Sequence, residues 1–220
     1  MIFPLIPAHQ YYAWGSSTLI PHFLGSENPE GLPIAELWYG THPRGTSMVV
    51  QGSRRVSLAQ TLCEDPEFWN GTREPQLSYL LKVLGIGSPL SIQCHPSAQQ
   101  AEEGFARETD LGIALDSPRR SYHDTRGKPE IICALTPMTA LRGVLPLETA
   151  HHRLPMLEKS HDHQSLLNQV FSMTPRQLEE TAEALEDNPA PWARLVGSLR
   201  RLYPGDPGML APCYMNLVHL

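Results

Sequence analysis

The sequence Leu90-Ser91-Ile92-Gln93-Cys94-His95-Pro96 alternates apolar and polar side chains. Because successive side chains of a β-strand point to opposite faces, a strand here would present Ser91, Gln93 and His95 on one face and the apolar residues on the other. An amide oxygen and an imidazole two residues apart on one face can bind a single cation such as zinc. The residues alone leave a second interpretation open, which is a half-buried strand with a solvated polar face.

A second informative segment runs from residue 122 to residue 135 and contains Lys128-Pro129-Glu130 followed by five apolar residues. Proline is tolerated near the start of a strand, so Pro129 predicts that Lys128 and Glu130 lie where a turn enters a sheet and share a face. A carboxylate at such a border is paired, exposed or bound to a metal. The segment is therefore a candidate source of a further metal ligand.

Composition indicates a globular protein and argues against several partners. Among 220 residues, 41% are hydrophobic and 18% are charged, and the net charge of −6 is not gathered in long runs. Disorder and a basic nucleic-acid-binding surface are both disfavoured, so we expect no nucleic acid partner. No apolar run approaches the roughly 20 residues that cross a bilayer, and the amino terminus does not resemble a signal peptide. We expect no membrane association and a cytoplasmic location.

The four cysteines, Cys63, Cys94, Cys133 and Cys213, are widely separated and form no Cys-x-x-Cys pair. Neither a disulfide framework nor a thiolate zinc cluster is indicated by this spacing. We expect these side chains to be reduced and mostly buried.

The chain reads as two regions of different texture. Residues 1–145 are predicted to be mainly β, with strands at 47–50, 79–84, 90–95 and 130–135, because short apolar or alternating runs are bounded by Gly and Pro. Ser57 and Ser97, each with Gln three residues later, predict two helices in this region. Residues 146–208 are predicted to form a helical lobe, with Thr174 as one helix cap and apolar stripes at 178–185 and 192–202. Residues 209–220 turn apolar again.

Six motifs in order resemble those of type I mannose-6-phosphate isomerases. They are Tyr12-Ala13-Trp14-Gly15-Ser16, Ala35-Glu36-Leu37-Trp38-Tyr39-Gly40-Thr41-His42-Pro43, Leu80-Leu81-Lys82-Val83-Leu84, Pro89 to Pro96, Lys128-Pro129-Glu130 and Ala134-Leu135-Thr136-Pro137. The resemblance extends along essentially the whole chain. Six collinear motifs at similar spacing are much more specific than any one of them.

The resemblance implies a mainly β cupin-type barrel, incomplete in this chain, with an inserted α-helical lobe. On that basis residues 1–145 would be the metal-binding catalytic domain, 146–208 the lobe, and 209–220 the start of the return to the barrel. It implies one zinc ion, with the ligands Gln93, His95 and Glu130. It also implies an isomerase that interconverts mannose 6-phosphate and fructose 6-phosphate as a cytoplasmic enzyme. We expect a monomer whose partner is a small-molecule sugar phosphate.

The same resemblance places Ser91, Lys82 and Lys128 among the substrate-binding residues, and it assigns no catalytic residue in this chain. It implies a remaining zinc-ligating histidine and a catalytic arginine after a segment like residues 211–220, and His219 lies too early in that segment to be the ligand. This chain also has Arg126-Gly127 where the family usually has Asn-His. The alternative is therefore a shortened, non-catalytic cupin that binds metal or sugar phosphate. An iron-dependent cupin is disfavoured, because the amide of Gln93 suits zinc better.

Overall fold

Short antiparallel strands and short helices make up the first part of the chain in the computed structural model, which describes residues 2–220. By its internal contacts the chain divides into two compact units, of which the first ends at Ser91 and the second begins at Ile92. The elements of the first unit are β1 (Leu5–Ile6), β2 (Ala8–Gln10), α1 (Leu19–Leu24), β3 (Glu36–Tyr39), β4 (Thr41–His42), β5 (Gly45–Thr46), β6 (Met48–Gln51), β7 (Arg54–Ser57), α2 (Leu58–Glu64), α3 (Pro66–Asn70) and β8 (Leu81–Leu84).

The strands of the first unit form three small antiparallel sheets, in the orders β1-β6-β7, β2-β3-β8 and β4-β5. Leu37 and Trp38 of the central strand β3 are buried, as are Val49 of β6 and Leu62 of α2. The predicted strands at 47–50 and 79–84 are confirmed in β6 and β8, with ends shifted by one or two residues.

Helices dominate the second unit. Its elements are α4 (Ala98–Asp110), β9 (Thr139–Val144), α5 (Leu147–Arg153), α6 (His163–Ser172), α7 (Pro175–Glu183), α8 (Pro191–Leu202), a 3₁₀ helix (Pro207–Leu210), α9 (Ala211–Tyr214) and β10 (Met215–His219). One apolar core gathers side chains from α5 through α9, including Leu154, Leu166, Val196 and Leu210, all fully buried. β9 pairs antiparallel with β10, so the helices between them begin and end on neighbouring strands.

The helix caps predicted from the sequence at Ser57, Ser97 and Thr174 are confirmed. Ser97 accepts a hydrogen bond from the Gln100 amide, and Gln100 Oε1 accepts one from the Ser97 amide, which completes a capping box. Thr174 and Gln177 form the same reciprocal pair at α7. Ser57 also caps α2 through the Gln60 amide, but the Gln60 side chain donates to Glu64 instead of closing the box. Among the described residues, no helix is long and apolar enough to span a membrane.

Two predicted strands are wrong. Residues 90–95 and 130–135 form no strand, and none of the described strands pairs with either segment. Alternation of side chains predicts which residues would share a face, but a strand also needs a neighbouring backbone with which to exchange hydrogen bonds. Without such pairing the apolar side chains stay exposed as well, and Ile131 is 99% accessible and Ile92 50%.

The expectation of mostly buried cysteines is also wrong. Cys63, Cys94 and Cys133 are exposed, and only Cys213 is buried. Cys94 and Cys133 belong to the two segments that lack strand partners, so no second layer covers the face on which they lie.

Candidate metal centre

Three predicted ligands meet around the His95 ring. Gln93 Oε1 lies 3.2 Å from His95 Nε2, and Glu130 Oε2 lies 3.5 Å from His95 Nδ1. All three residues belong to the second unit. The cluster is open to solvent, since the side chains of His95 and Glu130 are 30% and 64% accessible.

Both nitrogens of the His95 ring face oxygen atoms that accept hydrogen bonds. A neutral imidazole carries one N–H, so it can donate to only one of these two oxygens. The second ring nitrogen then presents a lone pair, and the lone pair of a neutral imidazole nitrogen can also bind a metal ion. This arrangement of an imidazole nitrogen, an amide oxygen and a carboxylate favours a cation over any anion.

The donor set suits zinc, and the spacing of two of the three donors fits it. Two ligands bound to tetrahedral zinc at about 2.1 Å lie roughly 3.4 Å apart, and Gln93 Oε1 and His95 Nε2 are separated by 3.2 Å. Glu130 contacts the other ring nitrogen, so its side chain must rotate to share an ion with Gln93. Its exposure leaves room for that rotation. Among the described residues, no group of three or more His, Cys, Asp or Glu could hold a metal, and the candidate site has only two residues of these types, His95 and Glu130, beside the amide of Gln93.

Helix α4 brings the two ligand-bearing segments together. The carbonyl of Pro96, next to His95, accepts a hydrogen bond of 3.4 Å from the Lys128 amide. Gly127 lies so close to the start of α4 that a Cβ atom there would be 2.8 Å from the Ala98 nitrogen. The glycine that departs from the usual family motif therefore permits a close backbone approach beside Glu130.

Two buried charged residues that the sequence reasoning missed are Glu108 on α4 and Arg120 in the segment that follows it. Glu108, 8% exposed, accepts hydrogen bonds from the amides of Ser121 and Tyr122 at 3.0 and 2.9 Å. The Tyr122 amide is the main cause that lowers the pKa of the Glu108 carboxyl, and burial opposes it. The sequence signal for this burial is faint, because a charged residue such as Glu108 on a helix that looks exposed gives no indication of burial.

Arg120, 5% exposed, completes this network. Its guanidinium donates to the Tyr122 carbonyl at 2.7 Å and to Thr109 Oγ1 at 2.9 Å, and also to the Ile113 carbonyl. It lies 4.6 Å from the centre of the Phe105 ring. The Arg120 and Glu108 side chains approach to 4.0 Å.

The predicted substrate-binding residues are spread over both units. Lys128 lies in the second unit, is half-exposed and faces Asp124 at 4.0 Å. Lys82 lies in the first unit, where it pairs with the buried Glu36 at 3.5 Å and lies 5.0 Å from the centre of the Trp38 ring. Ser91, at the end of the first unit, is exposed.

Comparison with known proteins gives consistent matches. The family model described as the catalytic domain of type I phosphomannose isomerase matches residues 2–147. The chain is 34% identical to the mannose-6-phosphate isomerase of Escherichia coli, over 98% of this chain and 61% of that protein. It is 30% identical to the mannose-6-phosphate isomerase of Homo sapiens, over 100% of this chain and 61% of that protein.

A solved relative matches in structure as well. The crystal structure of mannose 6-phosphate isomerase from Salmonella typhimurium bound to the substrate fructose 6-phosphate and zinc superimposes with a TM-score of 0.84 and 30% identity. The match covers 99% of this chain and 61% of that chain. The chain thus spans about three fifths of the length of the relatives it matches.

The chain belongs to the type I phosphomannose isomerase family. The matched range, 2–147, contains all six predicted site residues.

Proposed function

We propose that this chain is a zinc-dependent aldose-ketose isomerase that interconverts mannose 6-phosphate and fructose 6-phosphate, with Gln93, His95 and Glu130 as the protein ligands of one zinc ion. The observation that carries the proposal is the His95 ring, which contacts Gln93 Oε1 at 3.2 Å and Glu130 Oε2 at 3.5 Å. Residues 93 and 130 are far apart in sequence, so this convergence is a property of the fold.

The chemistry of the ligands fits the reaction. Two neutral ligands and one carboxylate leave net positive charge on a divalent ion, and bound zinc would supply that charge to the sugar oxygens that become negative in the transition state. Gln93, His95 and the carboxylate of Glu130 would hold the ion. No residue of this chain is assigned to move the proton between C1 and C2.

Lys128, Lys82 and Ser91 are proposed to bind the sugar phosphate. An ammonium group holds phosphate as a point charge with three donors. Lys128 is well suited, because its side chain is 51% accessible and the carboxylate that it faces, that of Asp124, is 4.0 Å away. Lys82 already faces the carboxylate of Glu36, so phosphate would compete with that carboxylate for its charge.

The proposal includes the architecture. Residues 1–145 would form a cupin-type metal-binding domain, 146–208 an inserted helical lobe, and 209–220 the start of the return to the barrel. Support for the insertion comes from the pairing of β9 with β10, because α5 to α9 lie in the chain between these two neighbouring strands.

A second candidate is a protein that binds metal or sugar phosphate without turnover. The openness of the site favours it, since Glu130 is 64% accessible and Ile131 beside it is 99% accessible. Electrostatic stabilisation of a transition state is strongest where water is excluded, and a site this exposed loses part of that advantage.

The decisive experiment measures zinc binding by calorimetry and isomerase turnover by a coupled assay on the full chain, with added zinc. Gln93→Ala and Glu130→Ala should each lower zinc affinity by at least about 100-fold, because loss of even an outer partner of a metal ligand costs roughly 10- to 100-fold, and should abolish turnover. Gln99→Ala and Glu103→Ala are matched controls, since these side chains pair with each other on the exposed face of α4.

Three outcomes are informative. Turnover that both ligand substitutions abolish supports the isomerase. Zinc binding without turnover supports the second candidate. If the chain binds no zinc, or if zinc binding survives both ligand substitutions, the ligand assignment and the proposed zinc-dependent activity are both contradicted.

A further inference from the structure

We propose that the buried Glu108–Arg120 pair is a positioning device for the metal centre, which sets where Glu130 lies relative to His95. The inference rests on the proposed zinc ligands and adds two residues outside that set. Both residues act through the segment 120–130, which they hold along α4.

The pair fixes the start of that segment. Glu108 accepts hydrogen bonds from the amides of Ser121 and Tyr122, while Arg120 donates to the Tyr122 carbonyl. The amide of Tyr122 is therefore bound by Glu108 of α4, and its carbonyl is bound by Arg120. An apolar pair could fill the same volume but could not satisfy these backbone groups.

Two close approaches extend the alignment along the helix. A Cβ atom on Gly104 would lie 2.5 Å from the Tyr122 ring, so this ring packs directly on the helix backbone. Gly127 makes the comparable approach at Ala98. The segment is thus aligned with α4 at residues 108, 104 and 98, in the direction that leads towards His95.

The segment beyond the alignment has little packing of its own. Ile131 is 99% accessible, Ile132 53% and Leu135 72%, so burial after Glu130 does not determine its position. His95 precedes the N-cap of α4 by two residues. Helix α4 therefore begins just after one proposed ligand, His95, and packs along its side against the segment that leads to another, Glu130. Glu108 and Arg120 hold the start of that segment on the helix.

The test compares zinc affinity in Glu108→Gln with that in a matched control, Glu179→Gln. Glu179 makes the same kind of contacts in the helical lobe, to Arg200 at 2.7 Å and to the Gly205 amide at 2.8 Å. We expect Glu108→Gln to weaken zinc binding by about 10- to 100-fold, the range for outer-shell partners, and Glu179→Gln to leave it unchanged. Thermal unfolding of both variants reports loss of stability, and the visible spectrum of the cobalt(II)-loaded chain reports the ligand geometry.

A second variant guards against unfolding of the first. Gly127→Ala adds a methyl group 2.8 Å from a backbone nitrogen and should also weaken zinc binding and change the cobalt spectrum. Gly197→Ala is its control, because the nearest atom to a Cβ there is a side-chain nitrogen 3.8 Å away.

The outcomes separate the two proposals. Wild-type chain that binds no zinc through Gln93, His95 and Glu130 contradicts the proposed function. The positioning role is overturned if the wild-type chain binds zinc and folded Glu108→Gln binds it with the same affinity and the same cobalt spectrum. If Glu108→Gln is unfolded, Gly127→Ala tests the same alignment of the segment with α4, and an unchanged zinc affinity and cobalt spectrum in that variant would overturn the positioning role. An equal loss of zinc affinity in Glu179→Gln would overturn it as well.

Discussion

Cys213 is the one cysteine side chain that the described structure buries, and it is part of the apolar core of the second unit. Burial raises the pKa of its thiol to about 12, and the neighbouring Arg153 charge only partly opposes this. The thiolate is the reactive form, so this thiol is protected twice, by inaccessibility and by its protonation.

We predict that a thiol reagent at about pH 8 modifies Cys63, Cys94 and Cys133 in the native chain and spares Cys213. Mass spectrometry of the modified chain counts the labels, and the same reaction in denaturant should reach all four. A native chain in which Cys94 or Cys133 stays unlabelled would mean that the segment bearing that cysteine is covered.

At the scale of single elements, α4 links stability with the metal centre. Its capping box joins Ser97 and Gln100 two residues after His95. The capping box of α7 joins Thr174 and Gln177, on a helix that carries none of the predicted ligands. The two caps are chemically alike and differ in what they adjoin.

We predict that Ser97→Ala and Thr174→Ala each lower the free energy of unfolding by about 1 kcal/mol, because each leaves helix amides without an acceptor. Only Ser97→Ala should also weaken zinc binding, by a few-fold, since fraying of the first turn of α4 loosens the Pro96 contact to Lys128. Urea unfolding and zinc titration measure the two effects. Equal zinc affinity in both variants would show that the cap does not influence the site.

For the whole molecule, several carboxylates couple stability to pH. Hydrogen bonds from Tyr122 lower the pKa of Glu108, those from Ser165 lower that of Asp162, and Arg200 lowers that of Glu179. Each carboxylate is therefore bound more weakly by protons in the folded chain than in the unfolded one. Its contribution to stability is present above the ordinary pKa and is lost as pH falls through the lowered one.

We predict that the thermal unfolding midpoint changes little between about pH 7 and pH 5 and falls below about pH 4.5, the ordinary value for glutamate. Calorimetric scans across this range measure it. Glu179→Gln, which removes one of these carboxylates, should make the acid decline shallower. A midpoint that does not depend on pH below 4 would contradict the assignment of these contacts.

The family relationship constrains the whole molecule without testing every expectation. Monomeric state, cytoplasmic location and the lack of a nucleic acid partner stay predictions from the sequence. So do the roles of Ser91, Lys82 and Lys128 in substrate binding and the domain boundaries at 145 and 208.

The amino-acid sequence by itself determined the family, the caps at Ser57, Ser97 and Thr174, the helical texture after Pro146 and the identity of the three candidate ligands. These features depend on residues within three or four positions or on short motifs, so they are legible without a fold. The tertiary structure alone decided that residues 90–95 and 130–135 form no strand and that Cys94 and Cys133 are exposed. It alone placed Glu130 beside His95 and joined Glu108 to Arg120. The reason is that strand pairing, burial and ion pairing depend on partners distant in sequence, whose positions no local pattern encodes.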